Sequence, residues 1–116
     1  MKTKFVDVVI PVHNGAHWLS FCLEELFRFN SKTLCNVYVV NDRSEPYQAQ
    51  KIRQIVGRYA KKVELIENDN PEGGFGFACN LGASQCLSEL ILFLNTDCFL
   101  TEGVLDKLAG VFSSDP

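Results

Sequence analysis

With 116 residues, 47% of them hydrophobic and 22% charged, the chain has the length and composition of one globular domain, which excludes disordered and fibrous classes. A net charge of −3, with a sequence pI near 5.3, makes nucleic acid a poor partner and argues against a phosphate groove built from side-chain charge alone. A phosphorylated ligand would have to be met by backbone amides, helix N-termini or a metal ion.

The elements alternate along the chain. Phe5–Ile10, Val37–Val40, Val63–Ile66 and Leu90–Leu94 are short runs rich in β-branched and aromatic residues. Most are continuous rather than alternating, which predicts strands buried on both faces, as in a parallel sheet covered by helices. Between them, Leu19, Cys22, Leu23 and Leu26 recur at helical spacing, as do Ile52, Ile55, Val56 and Tyr59. Ala78, Leu81, Gln85 and Cys86 give a weaker helix. Val104, Leu105, Leu108, Val111 and Phe112 give a clear one, with Thr101 expected as its N-cap and Glu102 in its first turn. The order β-α-β-α-β-α-β-α predicts parallel strands joined by right-handed crossovers.

Five cysteines, Cys22, Cys35, Cys79, Cys86 and Cys98, with no Cys-x-x-Cys spacing, read as reduced thiols of a cytoplasmic protein. The start, Met1-Lys2-Thr3-Lys4 and a strand-like run broken by Asp7, is too short and polar for a secretory signal. No apolar stretch approaches the roughly 20 residues that span a bilayer. The expected location is cytoplasmic, at the cytoplasmic face of the membrane where further sequence supplies an anchor.

The segments after the strands hold nearly all the Asn, Gly and Pro residues, whereas those after the helices, such as Asn30–Thr33 and Ala60–Lys62, are plain. Ligands of open α/β sheets bind outside the carboxyl ends of the strands, so this edge is the expected working edge. Pro11-Val12-His13-Asn14-Gly15 closes the first strand: Pro11 sets the exit, Gly15 permits a tight turn, and His13 and Asn14 project toward a ligand. Asn41-Asp42-Arg43-Ser44 puts a carboxylate after the second strand, able to accept bonds from a ribose or a base, or else to cap the next helix. The loop Asn70 to Gly76, with Gly73, Gly74 and Gly76, allows close approach of backbone to a ligand. It is neither a dinucleotide fingerprint nor a Walker loop, because it follows the third strand and contains no Gly-Lys-Ser/Thr. Asn95-Thr96-Asp97 follows the fourth strand. If that segment is extended, the oxygens of Asn95 and Asp97 face one way, toward one Mg²⁺ or Mn²⁺ ion or one ribose. Taken singly, the first could be a turn with a solvated His and the second and fourth could each be a helix cap, but four unusual turns on one edge argue for a site.

As a set, Val8-Val9-Ile10-Pro11-Val12-His13-Asn14-Gly15, Val39-Val40-Asn41-Asp42-Arg43-Ser44, Asn70 through Asn80, and Leu94-Asn95-Thr96-Asp97 resemble the family 2 glycosyltransferases. The resemblance spans essentially the whole chain. It implies a Rossmann-like GT-A fold: a mostly parallel sheet of about four strands in the order 3-2-1-4, flanked by helices and forming the N-terminal, donor-binding part of a longer catalytic domain. It further implies transfer of a sugar from a nucleoside-diphosphate donor to a saccharide or lipid-linked acceptor, with inversion and a divalent Mn²⁺ or Mg²⁺. Carried over, Pro11 and His13 lie beside the base and Asp42 contacts base or ribose. Asn14, Asn41, Gly73, Gly74 and Asn95 border the nucleotide. Asn95 and Asp97 stand where the family has Asp-x-Asp, with Asp97 the metal ligand.

The chain departs from the family pattern at His13, Asn41, Asn95 and Cys98. The form Asn95-Thr96-Asp97 is similar to a subgroup with rhamnosyltransferases that build polysaccharides. The general base is expected outside residues 1–116, so the chain is expected to bind nucleotide weakly without transferring sugar. A fourth strand at the sheet edge is also expected to promote self-association. A nucleotidyltransferase is disfavoured by the lack of a basic glycine loop after the first strand. A receiver-type signalling domain is disfavoured because the acids follow the second and fourth strands. A non-catalytic module of the same fold remains the alternative.

Overall fold

The structure is a computed structural model in which residues 5–30 and 32–114 are described, the side chains of 113 and 114 excepted. The readings that fall on Met1–Lys4 and on Asp115–Pro116 lie outside the described residues. Eight elements alternate: β1 (Val6–Val12), α1 (Ala16–Phe29), β2 (Leu34–Asp42), α2 (Pro46–Gly57), β3 (Val63–Asn68), α3 (Phe75–Ala83), β4 (Leu90–Phe93) and α4 (Val104–Ser114). The strands form one parallel sheet in the order β3-β2-β1-β4, as expected from the alternation and the resemblance.

β1 is buried along its whole length because both of its faces are covered. Val6, Val8, Ile10 and Val12 point to the face shared with Val37, Val39, Leu19, Leu23, Leu26 and Ile52 from β2, α1 and α2. Leu105 and Ala109 of α4 join the same core. Val9 and Val40 point the other way, against Ala78 of α3. Gly82 lets that helix sit close to the sheet: a Cβ there would collide with Val9 and come within 3.2 Å of Val40 Cγ2.

β4 departs from the expectation of a strand covered on both faces. It alternates, with Leu90 and Leu92 turned to the core and Ile91 and Phe93 40% and 45% exposed. Phe93 pairs in register with Val9, yet α3 lies over β1 and β2 and leaves the β4 end of that face open. The last helix is similar. Of its predicted stripe, Leu105 is buried, whereas Leu108, Val111 and Phe112 are exposed. Thr101 is not its side-chain cap; the N–H of Leu105 is taken by Oδ1 of the buried Asn30 at the end of α1, 2.9 Å away. Asn30 also donates to the Leu100 carbonyl at 2.9 Å, and Thr33 donates to Asp106 through its N–H and its hydroxyl. The plain segment after α1 is therefore the clasp that holds α4. The weaker helix is also shorter than its pattern, because Gln85 and Cys86 fall beyond Ala83.

Asp7 closes the sheet at its amino end. Fully buried, it accepts from the N–H groups of Asn36, Leu87 and Ser88 and from the Ser88 hydroxyl, at 2.9–3.1 Å. Desolvation pushes its pKa up, but the bonds from Ser88, Leu87 and Asn36 outweigh it and hold the carboxyl below its ordinary range. The five cysteines are free thiols. Burial pushes Cys22 up to about 12, and with Asp97 and Cys98 nearby adding to that, it stays protonated. Among the described residues no helix is long and apolar enough to cross a membrane.

Candidate functional site

The loops after β1, β2, β3 and β4 meet at the carboxyl edge of the sheet. Pro11 is buried inside β1, opposite Val40, rather than setting the strand exit. The turn that follows is made by Asn14, which takes the left-handed conformation (φ 58°), while Gly15 keeps a negative φ of −101° at the N-cap of α1. Gly15 is needed for a different reason: a Cβ there would lie 3.0 Å from Thr96 Oγ1, so the first and fourth loops touch at this point.

Asn14 binds the first loop to the second. Its N–H donates to Ser44 Oγ at 2.9 Å, and its Oδ1 accepts the N–H of Glu45 at 2.7 Å. Ser44 is thus an acceptor for the neighbouring loop, and α2 begins at Glu45-Pro46 without a side-chain cap. His13 Nδ1 lies 2.7 Å from the carbonyl oxygen of Asp42. A carbonyl only accepts, so Nδ1 carries the proton, and Nε2 is left facing the Asn14 amide at 3.4 Å. Asn41, also buried, is spent on its surroundings: it accepts from the Ser44 N–H and donates to Glu67, which Arg53 grips at 2.8 Å.

Asp42 is the centre of this half of the edge. It is 4% exposed, and its Oδ1 accepts from Asn68 Nδ2 at 2.9 Å and from Arg43 Nε at 3.1 Å. Arg43 holds the second left-handed backbone (φ 53°) and reaches on to the Pro71 carbonyl at 3.4 Å, tying the glycine loop down. Gly73 is pressed onto this network: a Cβ would come within 2.7 Å of both Asn68 Nδ2 and Asp42 Oδ1, and within 2.9 Å of Arg43 Nε. Gly74 follows at φ 153°, a conformation that disfavours any side chain, and opens α3.

Asn95 and Asp97 do not lie on an extended segment. The chain turns after Leu94, with the Cys98 N–H returning to the Asn95 carbonyl at 3.0 Å, so the same-side argument from strand periodicity does not apply. Both side chains are exposed. Asp97 caps no helix, since α4 starts at Val104 and is held by Asn30; its recorded contact is a weak one from Cys98 Sγ at 3.9 Å. Among the described residues no three His, Cys, Asp or Glu side chains converge as a metal group. One carboxylate and one amide oxygen in the open suit a hard cation that keeps most of its shell for phosphate and water, and do not suit a closed structural metal site.

The candidates therefore fall into two groups. His13, Asn14, Asn41, Asp42 and Gly73 form one interlocked cluster; Asn95 and Asp97 form a second, joined to it through Gly15 and Thr96. The sequence reading passed over Arg43 and Asn68 as site residues, though both belong to the first cluster. Asn68, at the end of β3 and in register with Asp42, was signalled by its strand-end position. Two grooves among the described residues, one of about 300 Å³ by Asn36, Tyr38 and Lys62 and one of about 410 Å³ between α1 and α2, include neither Asp42 nor Asp97.

A parallel sheet whose strand-end loops gather polar side chains puts them on the edge where open α/β sheets take their ligands, and solved structures with the same fold are GT-A glycosyltransferases. Staphylococcus aureus TarS (residues 1–349) superimposes with a TM-score of 0.79 at 23% identity, over 94% of this chain and 32% of that one. The mannosyltransferase PcManGT from Pyrobaculum calidifontis, in complex with GDP-Man and Mn²⁺, gives 0.78 at 20% identity, over 100% of this chain and 34% of that one. The chain belongs to glycosyl transferase family 2, whose model matches residues 7–116. Among characterised relatives, the 4,4'-diaponeurosporenoate glycosyltransferase of Staphylococcus haemolyticus is 30% identical over 82% of the chain and 24% of its own length. Glycosyltransferase AglE of Haloferax volcanii is also 30% identical, over 81% and 31%. The chain thus spans about a quarter to a third of the length of these relatives.

Proposed function

We propose that this chain binds the nucleoside-diphosphate part of an activated sugar at the carboxyl edge of its sheet, as the donor-binding portion of a glycosyltransferase. The supporting observation is the cluster at Asp42, whose backbone carbonyl is held by His13 and whose buried carboxylate is held by Arg43 and Asn68, while Asp97 stands exposed on the adjoining turn. Base and ribose sit by His13 and Asp42; the diphosphate extends along the Gly15–Thr96 contact toward Asp97.

Asp97 and Asn95 would hold a Mn²⁺ or Mg²⁺ ion, which supplies charge neutralisation for the departing diphosphate. The rest of the work by this chain is positioning. Asn14 and Ser44 hold the first two loops together, and Gly73 keeps the glycine loop flat against Asp42. Acceptor recognition and the general base are assigned to sequence outside these residues, as the greater length of the relatives suggests. Inversion, a rhamnosyl-type donor, a saccharide or lipid-linked acceptor and a role in cell-surface glycan synthesis complete the reading.

A thermal-shift series with UDP, dTDP, GDP and ADP, each with and without Mn²⁺, tests it. A ligand at a hundredfold excess over its Kd stabilises by about 2.7 kcal/mol. Stabilisation that needs Mn²⁺ and disappears in Asp97→Ala is the expected result. No response to any nucleotide overturns donor binding in favour of a non-catalytic module.

A further inference from the structure

Helix α1 is aromatic on its exposed side as well as apolar on its buried one, and we propose, beyond donor binding, that this side of the domain docks on an anionic phospholipid bilayer. Leu19, Leu23 and Leu26 face the sheet. His17 and Phe21, one helical turn apart, and Trp18, three residues before Phe21, face away from it. Trp18 and Phe21 are each 48% exposed, and Phe99, from the segment between β4 and α4, is 39% exposed. Their rings form one patch. Phe99 lies 6.0 Å from Trp18 and 6.4 Å from Phe21 between centroids, and His17 meets Trp18 at 5.4 Å and Phe21 at 5.3 Å, both edge-on. Single exposed apolar residues are ordinary, but contiguous rings drawn from two separate segments mark an interaction surface.

Charge decides what covers it. His17 and Phe21 also line the groove of about 410 Å³ between α1 and α2, where α2 and its C-cap contribute Tyr47, Lys51 and Arg58. In a chain of net charge −3, no carboxylate lines this groove. Among the described residues neither Lys51 nor Arg58 has a carboxylate partner. Lys51 sits 5.5 Å over the ring of Tyr47, itself 66% exposed. Acids flank the surface in sequence at Glu24, Glu45 and Asp97, and none enters the groove. An apolar protein surface would cover the rings and strip water from two unpaired cations; a dissolved polyanion would meet the cations and leave the rings in water. An anionic bilayer meets both demands. Its headgroup boundary takes aromatic rings that have one apolar and one wet side. Its phosphates attract the two cations, each strengthening binding on the order of fivefold. Because Phe99 is two residues past Asp97, docking would bring the turn after β4 to the lipid surface.

Trp18 is the one tryptophan of the chain, so its fluorescence reports on the patch directly. The chain is titrated with vesicles of phosphatidylcholine, and with vesicles of phosphatidylcholine mixed with phosphatidylglycerol. With the mixed vesicles Trp18 emission should shift to the blue and be quenched by brominated acyl chains, and the binding should weaken as salt is added. The double variant Lys51→Gln/Arg58→Gln keeps the reporter and should bind the mixed vesicles on the order of tenfold or more weakly. Phe99→Ser should also bind more weakly, and melting temperatures check that both variants stay folded. Absence of a shift with mixed vesicles, equal affinity for the two vesicle types, or a double variant that binds like wild type overturns the assignment. So does a blue shift that grows with protein concentration without vesicles, which would give the rings to a second copy of the chain. None of these outcomes touches nucleotide binding, which the thermal-shift series reads separately.

Discussion

Two buried aspartates on neighbouring strands are held in opposite ways. Asp7 enters β1 at the amino edge of the sheet, and Asp42 leaves β2 at the carboxyl edge; they are 0% and 4% exposed. Asp7 has donors on both oxygens, three of them backbone N–H groups, and joins the strand to the loop before β4. Among the described residues, Asp42 has donors on one oxygen only, both of them side chains. Burial alone therefore does not separate a carboxylate that the fold saturates from one that it leaves with acceptor capacity. What separates them is whether the protein has filled the acceptor capacity, because a saturated carboxylate has nothing left for a ligand.

Deleting each carboxylate gives the largest contrast. Asp7→Ala takes the acceptor from the N–H groups of Asn36, Leu87 and Ser88 and from the Ser88 hydroxyl, at about 1 kcal/mol for each part-buried bond lost. Urea denaturation should show a loss of roughly 3 kcal/mol or more, a large part of the stability of a domain this size. Asp42→Ala should cost about 1–3 kcal/mol, because the buried Asn68 amide loses its acceptor while the part-exposed Arg43 can turn to water. Nucleotide binding should change in the reverse order, lost in Asp42→Ala and kept in whatever fraction of Asp7→Ala remains folded. Nucleotide binding kept by a folded Asp42→Ala would break the comparison.

Acid sharpens the same point. The Asp7 carboxyl is held below its ordinary value of 3.8 in the fold. A group depressed on folding contributes stability that is fully present above its unfolded value and is lost as pH falls through the folded one. The stability gap between wild type and Asp7→Asn should thus be widest near neutrality and narrow below about pH 4. Denaturation midpoints at a series of pH values would show this, and a gap that does not vary with pH would contradict it.

A smaller effect is expected at Gly73. Ala at this position places a methyl group against Asn68, Arg43 and Asp42. The exposed loop can move away at a cost of about 1 kcal/mol, but Asp42 then loses its fixed orientation. Titration should show nucleotide affinity falling on the order of tenfold with a small change in melting temperature. Unchanged affinity would mean that the glycine loop takes no part in donor binding.

How far these features were legible in the chain depends on the range of the interactions that make them. Val8-Val9-Ile10 and Val37–Val40 announce strands because an apolar run without polar relief must be buried on both faces. The strand-end clustering of Asn, Gly and acidic residues placed the working edge by the same local logic. Partners distant in sequence were not legible. Asp7 reads as an interruption until Ser88, 81 residues away, supplies its donors. Asn30 looks like a plain turn residue until α4 comes to rest on it, 75 residues later. Arg43 carries no sequence signal for its left-handed backbone, whereas Asn14, a residue type enriched there, did. The alternation of β4 was hidden because Leu90-Ile91-Leu92-Phe93 is apolar throughout, and only its place at the sheet edge leaves Ile91 and Phe93 exposed.

Asp97 extends the comparison to its limit: an exposed carboxylate to which the fold commits almost nothing. It holds no helix start, and among the described residues its hydrogen-bond partner is the thiol beside it. Replacing it with alanine should leave the stability of the free chain within about 0.5 kcal/mol of wild type, the range of surface substitutions. The same variant should lose the part of nucleotide stabilisation that depends on Mn²⁺, because Asn95 then offers a neutral oxygen alone. The two readings come from one set of melting curves, recorded with and without metal and nucleotide. A variant that melts early in buffer would show that Asp97 supports the fold. If Mn²⁺ still enhances nucleotide binding in the variant, the ion is held elsewhere, and the turn after β4 is only a turn.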